Sequence, residues 1–266
     1  MGKHIKIYLL ALAIACMKII SISSMSVEFE ITLYEINMLG LGNPYFIPGY
    51  MMLLITDLFP VFIIQFLEGI AIYRHFCTGS VYYFSRQESR RKWFLEECGK
   101  MAARIGIYFS IYLITSVMIP FLWFRPKASL EVFAALFYIL AYYILYTIFI
   151  AIWINIFSIL FGSQMGLSIV YGIQLVFVAI LLLFEHTVSL QGIGVWLLKL
   201  NPLANIILAW HSSNHILKGW IGAYPIEFDL NISILYLGLL VAVSLLAGAF
   251  IVEGQDISLQ NREVSG

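Results

Sequence analysis

Apolar stretches of membrane length alternate with short polar breaks along most of this chain. After Lys3, His4 and Lys6, an apolar run covers about 7–27, interrupted by Lys18 and a few serines, and others cover about 47–73, 105–124, 130–161, 167–184 and 230–252. At ~1.5 Å of rise per residue, roughly 20 residues cross a ~30 Å hydrocarbon core, so the pattern predicts six transmembrane helices in a single all-α polytopic domain, 1–266. The run 130–161 is too long for the core unless it tilts, bends or projects. Ala13-Ile14-Ala15-Cys16 loosely imitates a lipoprotein cleavage site, but without the usual Leu, so the first run is read as an uncleaved helix.

The breaks differ in kind. Glu28, Glu30 and Glu35 make a small acidic loop, followed by glycines and prolines that lead into the second run. The segment 125–129 is a tight connection, and Gly162-Ser163-Gln164-Met165-Gly166 is predicted to turn the chain. Between the fifth and sixth runs, 185–229 holds apolar pieces at about 193–200, 203–210 and 216–221, none long enough to cross. They read as re-entrant or interfacial helices, broken at Asn201-Pro202, with Trp196, Trp210 and Trp220 at headgroup level.

The long polar segment is 74–104, which carries seven of the chain's 15 Lys and Arg residues. Ser85 and Glu88 form a Ser-x-x-Glu capping box that predicts a helix starting near Arg86. Glu88 with Lys92, and Glu96 with Lys100, are spaced one turn apart with the acid first. Trp93, Phe94 and Met101 add an apolar strip beside Arg86, Arg90, Arg91 and Lys92, giving an amphipathic helix over about 86–100. The plainer reading is a solvated positive loop.

Composition fixes the class. The chain is 62% hydrophobic and 11% charged, whereas charged residues make up about a quarter of a soluble domain. A net charge of zero lacks the basic excess that a nucleic-acid surface needs. Cys16, Cys77 and Cys98 form no disulfide framework or Cys-x-x-Cys metal pair. Lys3, Lys6, the seven cations of 74–104 and Arg262 fall on one side, against Arg125, Lys127, Lys199 and Lys218 on the other. By the positive-inside rule, both termini and the 74–104 loop are expected in the cytoplasm, with the chain in the plasma membrane.

Three constellations carry candidate chemistry. Lys18 and Asp57 lie at matching depth, each about 10 residues into consecutive antiparallel spans, and are expected to pair. Glu68 lies three turns along the Asp57 face and is expected to line the same surface, either a substrate path or a structural ion pair. His211 and His215 are one helical turn apart, a chelating spacing, but without the Glu of the His-Glu-x-x-His hydrolases. There is no P-loop: Gly99-Lys100 is followed by Met101, and Phe94 stands where the first glycine belongs. No Gly-x-Ser-x-Gly elbow occurs either.

This layout resembles the permease subunits of bacterial type-2 ABC exporters. The residues that carry the likeness are Ser85-Arg86 and Ser89-Arg90-Arg91-Lys92-Trp93, similar to the Ser-Arg and Ser-Arg-x-x-Trp pattern near the coupling segment of that family. Asn201-Pro202-Leu203 adds a weaker match, and the short segment before the first span departs from the family's elbow helix. The resemblance implies a transport subunit without catalytic, cofactor or metal sites of its own. It would dimerise with an identical or different permease and dock a separate ATPase that holds ATP and Mg. Arg86, Arg90 and Arg91 would be charged contacts to that ATPase, with Trp93 and Phe94 as anchors. The cargo expected first is an amphipathic or antimicrobial-type peptide, then a drug or lipid-linked glycan; a metal-dependent intramembrane hydrolase and an immunity or scaffold protein are the readings from other classes.

Overall fold

The computed structural model describes residues 2–23, 48–83, 89–123, 130–186, 193–208, 211 and 228–254. These fold into eight α-helices: α1 (Gly2–Ser23), α2 (Pro48–Glu68), α3 (Ala71–Tyr83), α4 (Arg90–Trp123), α5 (Leu130–Phe161), α6 (Ser163–His186), α7 (Ile193–Leu200) and α8 (Leu230–Gly254). A short 3-10 turn at Ala204–Ile206 follows α7.

Helix α5 is the axis of the bundle, packing against α2, α3, α4, α6 and α8. Of its most apolar stretch 61% is buried, against 28% for α4 and 22% for α6 and α8. A helix apolar all round has no polar face to give to water, so it occupies the centre. The outer helices instead turn large apolar side chains outward, with Leu235 71%, Leu175 70%, Met118 60% and Val176 56% exposed. Such a surface is stable only against lipid or another apolar partner. Among the described residues, five helical stretches are long and apolar enough to cross a membrane: Leu58–Cys77, Arg90–Ile119, Phe133–Phe161, Ser163–Leu181 and Leu230–Gly254. The protein is therefore an all-helical membrane protein, with α1 as the remaining helix where the sequence predicts a span.

Three local features differ from expectation. The second run is two helices, because the chain turns at Gly69-Ile70. A Cβ on Gly69 would lie 2.4 Å from the Gln65 carbonyl oxygen and 2.9 Å from Ile154, so α2 approaches α5 only through glycine. The break exposes backbone groups inside the bundle, and Asn155 of α5, fully buried, satisfies them. Its Oδ1 accepts from the N–H groups of Ile72 (2.9 Å) and Tyr73 (3.1 Å), while its Nδ2 donates to the carbonyls of Glu68 (3.2 Å) and Ala151 (2.8 Å). One amide thus serves as N-cap for α3 and as C-terminal partner for α2.

The helix expected over 86–100 is not a separate element. It begins at Arg90 and runs unbroken into the third span as α4, 34 residues or about 50 Å long. Ser89, rather than Ser85, stands at the N-cap, with its Oγ 3.5 Å from the Lys92 N–H; Ser85, Arg86 and Glu88 lie outside the described residues. The turn expected over 162–166 shrinks to Gly162, whose φ of 91° ends α5 in the left-handed region. Helix α6 starts at the next residue, and a Cβ on Gly166 would lie 2.5 Å from the Ser158 backbone nitrogen, so this hairpin is held tight by two glycines.

Candidate functional site

Charged residues gather at one end of the bundle, where α1 and α4 begin and α2, α5 and α8 end. Glu68, the last residue of α2, is buried to 3% side-chain exposure and meets Arg104 of α4, which is 17% exposed. The guanidinium grips the carboxylate with two nitrogens, Nε at 2.9 Å and Nη2 at 2.7 Å from Oε2. Of the two alternatives for Glu68, this contact is a structural ion pair, with Arg104 as its partner; the Asp57 surface that Glu68 was expected to continue lies outside the described side chains. Lys18 of α1 is buried and engaged within the fold. The Asp57 side chain lies outside the described residues, and with it the expected Lys18–Asp57 pair.

Two turns before Arg104, Glu97 accepts from Lys100 (2.7 Å) and meets His75 Nδ1 of α3 at 3.0 Å, tying α3 to α4. Between α1, α2, α3 and α4 opens a cavity of about 410 Å³, with Lys6, Arg74, His75, Arg104 and Glu68 in its wall. Leu10, Phe66 and Ile70 line its apolar part.

The first turns of α4 place the proposed contact residues in different surroundings. Phe94 is fully buried, and a Cβ on Gly248 of α8 would lie 2.6 Å from its ring, so Phe94 is core and offers no surface to a partner. Trp93 is half-buried, with its ring 6.0 Å from that of Phe76. Arg91 forms a salt bridge with Glu253 and lies over the Phe250 ring at 4.5 Å, which binds α4 to the end of α8. Arg90 is partly exposed and engaged within the fold, and Arg86 lies outside the described residues. The face left open carries Lys92, which pairs with Glu96 at 3.9 Å, and Leu95, 45% exposed. Leu95 is the apolar residue on this face that the sequence reading missed; the aromatics beside it are more hydrophobic and drew the assignment.

A second polar cluster closes the opposite end. Helix α7 stops at Leu200, directly before Asn201-Pro202, as the proline predicts. Asn201 Nδ2 donates to the Phe177 carbonyl of α6 (2.9 Å), and Asn205 Nδ2 donates to the Lys199 carbonyl (2.8 Å). Ser233 of α8 lies 2.8 Å from Asn205 Oδ1 and 2.9 Å from His211 Nε2. His211 Nδ1 faces the Ile207 carbonyl at 3.0 Å, and its ring stacks on Tyr142 at 5.2 Å. Burial pushes the His211 pKa down to about 4, against hydrogen bonds that the ring donates to the Ile207 and Leu208 backbone and the charge of Asp229. Both ring nitrogens are engaged inside the chain, which leaves neither open to a metal ion, and His215 lies outside the described residues. The Ser233–His211 contact has the atoms of a nucleophile and base, but the residues are 1% and 0% exposed, so a substrate has no approach. It ties α8 to the loop after α7.

No family model, curated protein or solved structure matches this chain. The functional reading therefore rests on the residues themselves.

Proposed function

We propose that the chain is the membrane-spanning subunit of an ATP-driven exporter of the type-2 ABC kind, working with a separate ATPase. The observation that carries the proposal is α4. About 50 Å of continuous helix exceeds a ~30 Å core by several turns, so its charged start projects beyond the apolar layer while its remainder crosses. A push on the projecting turns reaches the bundle through the Glu68–Arg104 clamp and the Arg91–Glu253 contact. The open face around Lys92, Leu95 and Glu96 is the docking surface, with Arg90 and Trp93 at its margin; Arg86 is kept as a contact on the sequence alone, and Phe94 is left out because it is buried.

In this proposal α1 is the sixth span and both termini are cytoplasmic, with two permease copies in the plasma membrane enclosing the path. The sequence lacks a P-loop, so ATP and Mg belong to the partner. The first cargo class is an amphipathic peptide, followed by a drug or lipid-linked glycan. The test is affinity purification of the tagged chain from its native membrane. A P-loop subunit retained in about equal amount, hydrolysing ATP faster when cargo is added, supports the proposal. A purified chain with no nucleotide-hydrolysing partner under mild detergent contradicts it.

A further inference from the structure

The central helix of the bundle is covered unevenly. Helices α6 and α8 both pack against α5 but scarcely touch each other. Between them a cavity of about 350 Å³ reaches the α5 surface, where Phe149, Trp153 and Phe157 form its floor. These three recur every four residues, so they line up as one stripe along the helix, with the Trp153 and Phe157 ring centroids 5.6 Å apart. Ile173 of α6 and Val243 of α8 stand in the two walls near the middle of their helices and are 42% and 53% exposed, so the cavity opens sideways between them. Among the described residues its polar lining is Ser244, whose hydroxyl donates to the Leu240 carbonyl at 2.7 Å. That lining therefore offers a ligand apolar contact and no unpaired polar group.

The dimensions decide what fits. Eight residues separate Phe149 from Phe157, a rise of about 12 Å along α5, so a volume of about 350 Å³ leaves a cross-section of about 30 Å². A helix with its side chains is at least ~10 Å across, or about 80 Å², and does not enter. A single hydrocarbon chain does, and the stripe follows a helix that crosses the apolar layer, the direction in which lipid tails lie. We propose that this cleft holds one acyl chain of a membrane lipid, laid along Phe149, Trp153 and Phe157 between α6 and α8. The chain supplies the dispersion contacts that the aromatic floor lacks on its open side, so the site selects for the tail and not for headgroup charge. The inference rests on the chain being a membrane protein and is independent of the exporter reading, since no ATPase takes part.

The test uses the full chain in an uncharged detergent, with native mass spectrometry for retained lipid and tryptophan fluorescence for its place. Dioleoyl phosphatidylcholine and dioleoyl phosphatidylglycerol are each expected to remain as a single retained adduct, and glycerophosphocholine, the headgroup without its tails, to leave none. Phosphatidylcholine brominated along its acyl chain is expected to quench emission saturably, and the quenched part is expected to be missing in Trp153→Phe. Ile173→Trp and Val243→Trp push a ring into the cleft from opposite walls, and each is expected to weaken lipid retention at least tenfold, so the site is tested even if one of them folds poorly. Leu175→Trp, at an exposed position of α6 outside the cleft, is expected to keep affinity within twofold. Equal loss in all three tryptophan variants, retention of phosphatidylglycerol alone, or a saturable quench that survives in Trp153→Phe would overturn the proposal. So would a lipid-free dimer that Ile173→Trp converts to monomer, since a second copy would then cover the cleft.

Discussion

Glu68 and Arg104 show what a single buried charge does in this bundle. Each is stabilised by the other, so removing one leaves an uncompensated charge, at a cost of about 3–5 kcal/mol, while removing both is far milder. Glu68→Gln and Arg104→Gln are each expected to lower the unfolding temperature in detergent more than the double variant does; additive losses would refute the clamp. His211 gives a prediction of opposite origin. Its folded pKa, about 4, is below the unfolded value near 6.5, so between these values the unfolded state binds more protons. Its contribution is therefore complete above about pH 6.5 and lost as pH falls towards 4. Stability followed over that range should fall less steeply in His211→Gln than in the parent, and parallel curves would contradict the assignment. At this scale the sequence showed which charges lie between apolar runs but not their partners. Glu68 and Arg104 are 36 positions apart, and a helical strip such as Trp93 with Phe94 does not reveal whether it faces a partner or its own α8.

At the scale of elements, the break between α2 and α3 depends on a side chain from a third helix. Asn155→Leu would strand the N–H groups of Ile72 and Tyr73 and the Glu68 carbonyl, each at about 1–3 kcal/mol when buried without a partner. Asn155→Leu and Gly69→Ala should each destabilise the protein strongly, whereas Gly99→Ala, with open space around its added methyl, should be neutral or slightly stabilising. An Asn155→Leu protein as stable as the parent would show that the break needs no cap. The long elements were legible because length and apolarity fix them: α5 spans Leu130–Phe161 and α7 Ile193–Leu200, the bounds that the apolar pattern predicts. The Gly69 break was not legible, because its cap comes from 83 positions away. The start of α4 was misplaced for a related reason, as Ser85 and Ser89 both precede a helical pattern and local spacing does not rank them.

For the whole molecule, the layout follows from opposite demands at the two ends. At one end Asn201, Asn205, His211 and Ser233 lock the loop after α7 onto α6 and α8, and at the other the charged residues join α2, α3, α4 and α8. A hydrogen-bonded end opposite a charged one suits the proposed bundle driven from one side. The most direct measurement of that claim is photocrosslinking in intact cells, with a crosslinking amino acid placed in turn at Leu95 and at Trp196. Leu95 is 45% exposed at the start of α4, and Trp196 is 68% exposed on α7 at the opposite end. The account predicts a crosslink from Leu95 to a P-loop ATPase and none to that protein from Trp196. An ATPase adduct from Trp196, or none from Leu95 in cells that express both proteins, would contradict it.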